Sequence, residues 1–280
     1  NIAVAAAGLG APTAMAARLG GDAFGARFRE RLVAAGVDPR YLVDSTDPSA
    51  LALVTLDGGD ARYDFWLSGG ADFNWHEAEL PRLSAGDVLH VGSLAAFQPP
   101  GADVIAGWAA RHRTVGLVTL DPNLRPTVLA DRTAALTRLA GLVASAHVVK
   151  ASVEDLRAAH PERAPEEVAR RWLAEGPALV VLTRGAGGVS GLTSAGRVDV
   201  PSPPVSVVDT IGAGDAAMGA LLAALDGAGL AGVLADLPAV LRRVCAAGAL
   251  ACTRPGASPP SADEVARTAA TLTASAHAHA

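Results

Sequence analysis

The sequence predicts an α/β protein in which a mainly parallel sheet is flanked by helices on both faces, with a small β insertion. Three observations carry this. Strand-length apolar runs recur at residues 88–91, 115–120, 147–150 and 179–183, with helix-length segments between them, and repeated β-then-α order builds a parallel sheet covered by helices. Runs at 51–56 and 62–66 flank Asp57-Gly58-Gly59-Asp60, a hairpin pattern that breaks the α/β rhythm. Half of the 280 residues are hydrophobic and 18% are charged. Such a chain has enough apolar surface to offset its ordering entropy, which leaves disorder out as the main state.

Taken in order, the chain opens in an alanine-rich run, Asn1-Ile2-Ala3-Val4-Ala5-Ala6-Ala7, with no turn signal or cap to begin it. A strand expected at 13–17 ends at Leu19-Gly20-Gly21-Asp22, where Asp22 caps a helix that runs to about Ala35 and stops at Gly36. The hairpin and the four parallel strands follow. Past Thr183 come two short β pieces, at 189–192 and 197–200, and then Pro201-Ser202-Pro203-Pro204. Two alanine-rich helices are expected at about 213–225 and 234–252. The end, 271–280, reads as frayed, so His277 and His279 lack the fixed geometry of a metal pair. Cys245 and Cys252 sit nearly two helical turns apart, beyond disulfide reach, and read as core thiols.

The formal charge of −5 argues against non-specific binding to nucleic acid or anionic lipid. Lys150 is the only lysine, so anion binding is expected of arginine or of backbone N–H groups. No stretch approaches the roughly 20 uninterrupted apolar residues of a membrane span, and no secretory signal is visible at 1–10. A cytoplasmic protein is expected.

The sharpest local signal is Val207-Val208-Asp209-Thr210-Ile211-Gly212-Ala213-Gly214-Asp215-Ala216-Ala217. It reads as an apolar strand end that enters two glycines around an alanine, where a helix begins with an aspartate in its first turn. Small residues let backbone N–H groups and the positive helix end approach a phosphate. A carboxylate beside that anion hole repels a resting phosphate by on the order of 1 kcal/mol or more. That repulsion makes sense if Asp215 takes the proton of an attacking hydroxyl during phosphoryl transfer. Two other readings stay open. Asp215 caps its helix and complements the dipole, or Gly212-x-Gly214-x-x-Ala217 binds a dinucleotide with Asp236 as the ribose acid. No Walker A run is present.

The segment Asp209-Thr210-Ile211-Gly212-Ala213-Gly214-Asp215 resembles the C-terminal signature of the ribokinase-like (PfkB) sugar kinases. Other segments agree in order. Leu19-Gly20-Gly21-Asp22-Ala23-Phe24-Gly25 resembles an early glycine-and-aspartate stretch of that family. Asp121-Pro122-Asn123-Leu124-Arg125-Pro126 is similar to a segment of its fructokinase and 2-keto-3-deoxygluconate kinase branches. Thr183-Arg184-Gly185-Ala186-Gly187-Gly188 and Arg254-Pro255-Gly256-Ala257 resemble its nucleotide-side loops.

The resemblance implies a ribokinase-like fold with an α/β core over 1–45 and 76–280 and a β lid over 46–75. It implies transfer of the γ-phosphoryl group of ATP, with Mg²⁺, to a sugar hydroxyl, and it leaves a monovalent cation such as K⁺ open as a further cofactor. Asp215 matches the base, and Gly212, Ala213 and Gly214 supply the anion hole. Thr183, Gly185, Gly188, Asp209, Ser152 and Gly256 lie toward the nucleotide. Asn1, Gly92, Asn123, Arg125 and Asp215 lie toward the sugar, and Asp155 reaches the metal through water. Ser152 and Asp155 replace the family's Asn and Glu, so the metal role and an ordinary first-turn position for Glu154 and Asp155 are left side by side. Tyr63, Phe65 and Trp66 are sugar-stacking or lid-packing groups, and His90 reads as a core histidine. Fructose-like ketoses or 2-keto-3-deoxygluconate are the expected substrates, with ribose and nucleosides open, and the lid offers a surface for a homodimer. A non-catalytic sugar or nucleotide sensor and a dinucleotide-dependent oxidoreductase are the rival functions. By the same resemblance Asn1 follows a glycine pair, so a first strand with its sugar-gripping Asp is expected ahead of it, roughly 30 residues in all. Without that strand a neighbouring one keeps an unsatisfied edge.

Overall fold

The computed structural model describes residues 1–57, 60–129 and 131–277. Helix α1 (Ile2–Gly8) and strand β1 (Ala17–Gly20) lead to α2 (Ala23–Ala34) and β2 (Leu42–Ser45), and the hairpin is β3 (Leu51–Asp57) with β4 (Asp60–Trp66). Then come β5 (Val88–Gly92), α3 (Gly101–His112), β6 (Leu117–Asp121), α4 (Arg132–Ser145), β7 (Val148–Ser152), α5 (Val153–Ala159), α6 (Pro165–Glu175) and β8 (Leu179–Thr183). The chain closes with β9 (Val189–Thr193), β10 (Gly196–Val200), α7 (Ala213–Ala235), α8 (Leu237–Ala251), α9 (Ala262–Thr271) and β11 (Ser275–His277).

The central sheet has the order β11-β10-β9-β8-β7-β6-β5. Its β5 to β8 half is parallel and its β8 to β11 half antiparallel. Strand β8 shows why the parallel half reads as continuous apolar sequence, since Leu179, Val180, Val181 and Leu182 are all fully buried. Their side chains alternate between two cores. Val180 and Leu182 join Leu139, Leu142, Leu156 and Trp172 under α4 to α6, while Leu179 and Val181 join Met218, Leu221, Leu241 and Val244 under α7 and α8. Strand β5 ends the sheet and pairs with β6, and β1 and β2 form a separate parallel pair. The hairpin stands as its own antiparallel sheet.

Several sequence expectations change. The strand expected at 13–17 forms at Ala17–Gly20, because its partner β2 lies opposite 17–20 and Ala14 makes only a single bridge to Asp38. The opening alanine run is helical. Its small side chains let α1 press onto α7, where a Cβ on Gly219 would lie 2.5 Å from Ala5 Cβ. The helix expected at 213–225 continues to Ala235 through a break at Gly229, whose φ is 63°. By length and composition α7 is apolar enough to cross a bilayer, but Met218 and Leu221 are fully buried in the core. No strand leads into Gly212: prolines interrupt 201–204, and Val207 and Val208 are each 63% exposed. Asp236 caps α8 by accepting from Ala239 N–H instead of ending a strand, which removes the geometry of the dinucleotide reading. The C-terminal stretch is not frayed up to His277, since Ser275–His277 pairs with β10. His279 lies outside the described residues, and among the described ones no group of three metal-ligating side chains gathers. Cys245 is buried and Cys252 half-buried, both as free thiols.

Candidate active site

Gly92, Asp121, Ser152 and Thr183 end β5, β6, β7 and β8 at one edge of the parallel sheet. Open α/β sheets bind ligands outside that edge. The N-terminus of α7 is held there by its entry turn. Gly212 adopts φ 81°, a left-handed conformation that only glycine takes without strain, and a Cβ on it would lie 2.9 Å from Ala257 Cα. Asp209 locks the turn to the 254–257 loop: Oδ1 accepts from Ile211 N–H at 2.9 Å and Oδ2 from Gly256 N–H at 2.8 Å. These backbone donors hold the Asp209 carboxyl below its usual range. Ala213 N–H reaches back to Thr210 O at 3.3 Å.

Asp215 follows in the first turn of α7, and its Oδ2 accepts from Asn1 Nδ2 at 2.9 Å. Asn1 precedes α1, so the packing of α1 on α7 brings the two residues together from opposite ends of the sequence. Both line a cleft of about 950 Å³ that also meets Gly92, Ser93, Asn123, His90 and Asp121. Asn123 has φ 43° and Ser93 φ 53°, uncommon for side-chain-bearing residues. Asn123 Nδ2 donates to Ser93 Oγ at 3.1 Å. Gly92 is required by packing as well as by the cleft, for a Cβ there would lie 1.9 Å from Asp121 O. His90 Nδ1 bonds Thr119 Oγ1 at 2.9 Å. Burial first, then the charge of Lys150, lowers its pKa to about 4 against the pull of Asp215. His90 is thus a cleft-lining neutral imidazole rather than a core histidine.

None of the expected nucleotide-side residues lines this cleft. Thr183 and Ser152 are paired neighbours at the ends of β8 and β7, and Gly185 and Gly188 bend the loop after β8 with φ 53° and 83°. Asp155 is occupied within the chain. Its Oδ2 accepts from Ser152 N–H and Oγ–H, and its Oδ1 from Leu124 N–H. The carboxylate thus carries three hydrogen bonds from the chain, two on Oδ2 and one on Oδ1. Arg125 is exposed, bonds the adjacent Leu124 O and does not line the cleft. Trp66 is 57% exposed and Phe65 half-buried, neither lining the cleft, and the side chain of Tyr63 lies outside the described residues.

Sequence reasoning passed over Ser93 and the pair Lys150–Asp121. Lys150 Nζ donates to Asp121 Oδ2 at 2.7 Å, with both side chains only 4% exposed. The pair joins β6 to β7 beneath the α7 entry turn. Burial opposes the charge on Lys150, and the carboxylates of Asp121, Asp155 and Asp215 outweigh it, raising the ammonium pKa. A lone lysine in a chain of arginines was a visible signal. Its burial among carboxylates was not.

The sequence model described as pfkB family carbohydrate kinase matches residues 1–264. Among curated proteins, a fructokinase of Rhizobium leguminosarum bv. trifolii is 35% identical over 226 residues, which is 80% of this chain and 69% of the relative. A fructokinase of Klebsiella pneumoniae is 33% identical over 261 residues, covering 92% of this chain and 85% of the relative. Among solved structures, the fructokinase of Vibrio cholerae O395 in its fructose, ADP and calcium ion bound form superposes with a TM-score of 0.87 at 29% identity, covering 95% of this chain and 88% of that one. The aminoimidazole riboside kinase of Salmonella enterica, complexed with aminoimidazole riboside and an ATP analog, gives 0.86 at 26% identity over 96% of this chain and 90% of that one.

Proposed function

The chain belongs to the pfkB family of carbohydrate kinases, and from that premise we propose that it transfers the γ-phosphoryl group of ATP to a hydroxyl of fructose or a closely similar ketose. The observation that carries this reading is Asp215, in the first turn of α7 beside the Gly212–Gly214 turn and open to the cleft. In the reaction the sugar oxygen attacks the γ-phosphorus and gives its proton to Asp215. The bond from that phosphorus to the β-γ bridging oxygen breaks, and ADP leaves. Backbone N–H groups of the Gly212–Gly214 turn and the α7 dipole stabilise the charge of the transferring phosphoryl group. Asn1 orients the Asp215 carboxylate, and Asn123 and Ser93 offer polar groups to the sugar. Thr183, Gly185, Gly188 and Gly256 face the nucleotide in this scheme. The β3–β4 hairpin serves as the lid that excludes water, and its exposed Leu51, Leu53 and Trp66 give a surface for a second copy. A cytoplasmic site of action, where ATP is available, belongs to the same proposal.

Fructose is favoured over 2-keto-3-deoxygluconate because the curated relatives named above are fructokinases, and because Arg125, the residue suited to a substrate carboxylate, does not line the cleft. The test is a sugar panel with coupled ADP detection, run with and without K⁺. ADP release with fructose that disappears in Asp215→Asn, with ATP still bound, is the expected result. Turnover near the parent level in Asp215→Asn would sink the assignment, and sugar and ATP binding without any ADP release would replace the kinase with a sensor.

A further inference from the structure

We propose that Lys150, held by Asp121, is a positioning residue that places a fixed positive charge behind the anion hole at the start of α7. The inference rests on the kinase reading and adds a residue to its machinery. A Cβ on Gly214 would lie 3.1 Å from Lys150 Nζ. The ammonium therefore packs against Gly214 in the turn that the kinase reading assigns to the phosphoryl group, and glycine at 214 is what lets it approach. Stability alone does not account for the pair. A buried ion pair stabilises a fold little unless its remaining polar groups are satisfied, and Asp121 Oδ1 is buried with no hydrogen-bond partner. Two apolar side chains of similar volume would fill the same space without that deficit. A positive charge under a site that must carry extra negative charge in the transition state has a use that apolar residues lack.

The arrangement also divides the work between the two residues. Asp121 offsets the desolvation of Lys150 and keeps it an ammonium at neutral pH, while Lys150 supplies the charge. His90 on β5, Asp155 on α5 and Asp215 on α7 are the other titratable groups whose charge reaches the ammonium. Removing the negative charge of Asp121 lowers the pKa of Lys150, so the ammonium is lost at a lower pH than in the parent.

The experiment compares the parent with Asp121→Asn, the double variant Asp121→Asn/Lys150→Met, and Asp215→Asn. The double variant removes both charges at nearly constant volume and is expected to melt within a few degrees of the parent. Its kcat should fall by about tenfold to a hundredfold, below the loss of a direct oxyanion donor. KM for ATP and sugar should stay within about threefold, as expected when ground-state binding is untouched. Its affinity for MgADP with aluminium fluoride should weaken by a similar factor while that for MgADP alone holds. In Asp121→Asn the alkaline limb of kcat should move to lower pH. A double variant with kcat within about threefold of the parent overturns the proposal, as does a fall in kcat matched by an equal rise in KM for ATP. If the double variant does not fold, an unmoved alkaline limb in Asp121→Asn overturns it alone. A parent that turns over and is silenced by Asp215→Asn but not by the double variant ends this inference only. A parent that releases no ADP with any sugar ends the kinase reading and this inference together.

Discussion

Asp155 Oδ1 accepts the backbone N–H of Leu124 at 2.7 Å, so a carboxylate in the first turn of α5 also fixes the turn after β6. The same side chain closes a capping box with Ser152. Replacing it by alanine removes the acceptor of the Ser152 N–H in that box and leaves the buried Leu124 N–H without its partner, a combined loss of about 2–4 kcal/mol. Urea unfolding of Asp155→Ala should show this, together with a fall in activity as Asn123 loses its fixed backbone. A variant as stable as the parent but inactive would return Asp155 to a direct role in the chemistry.

Asp22 links the start of α2 to the foot of the hairpin. Its Oδ1 accepts from Phe24 N–H, Gly25 N–H and Ser49 Oγ–H, and its Oδ2 accepts from Ser49 N–H. The Ser49 and Gly25 backbone bonds lead in lowering its pKa to about 2. A carboxyl depressed in the folded state contributes stability above its unfolded pKa, near 3.8, which is lost as pH falls through about 2. Asp22→Asn should therefore flatten the acid slope of stability between about pH 4 and pH 2, read by urea titration at each pH. It should also lower the melting temperature at neutral pH, and an unchanged acid slope would refute the linkage.

Gly212 is the backbone hinge of the turn that enters α7, which the proposed function assigns to the phosphoryl group. Alanine there must hold φ near 81° and place its Cβ 2.9 Å from Ala257 Cα. The strain amounts to about 1–3 kcal/mol, and relief requires the turn to move away from the 254–257 loop. Gly212→Ala should lower the melting temperature and reduce kcat far more than KM for the sugar. An active variant of parental stability would show that the turn does not position the chemistry.

The parallel sheet and the Asp209–Asp215 turn were legible because both are local. Leu179-Val180-Val181-Leu182 is apolar at every position because each of the two sheet faces has a helical layer over it, and the small residues around Asp215 follow from one turn. What was not legible depends on residues far apart in sequence. The 1–7 run is rich in alanine, the best helix former, but what holds so short a helix is the groove beside Gly219, more than two hundred positions away. Asp155 looked like a metal ligand or a simple cap because its partner is an N–H on another strand end, and Lys150 was set aside because nothing adjacent to it marks a phosphate loop. Val207 and Val208 misled in the other direction, being apolar and exposed.

His90 carries a prediction in pH. Its pKa is lowered to about 4, chiefly by burial and then by Lys150. The unfolded chain, with an ordinary histidine near 6.5, takes up the proton first. Stability from this site is thus whole above about pH 6.5 and is lost progressively as pH falls toward 4, a total on the order of 3 kcal/mol. His90→Gln should remove that slope while leaving the Asp22 slope at lower pH in place, which unfolding titrations from pH 7 to 4 resolve. The neutral imidazole also predicts that kcat of the parent has no limb near pH 6.5 arising from His90. If the pH profile near 6.5 flattens in His90→Gln, the imidazole titrates in the working range and the prediction fails.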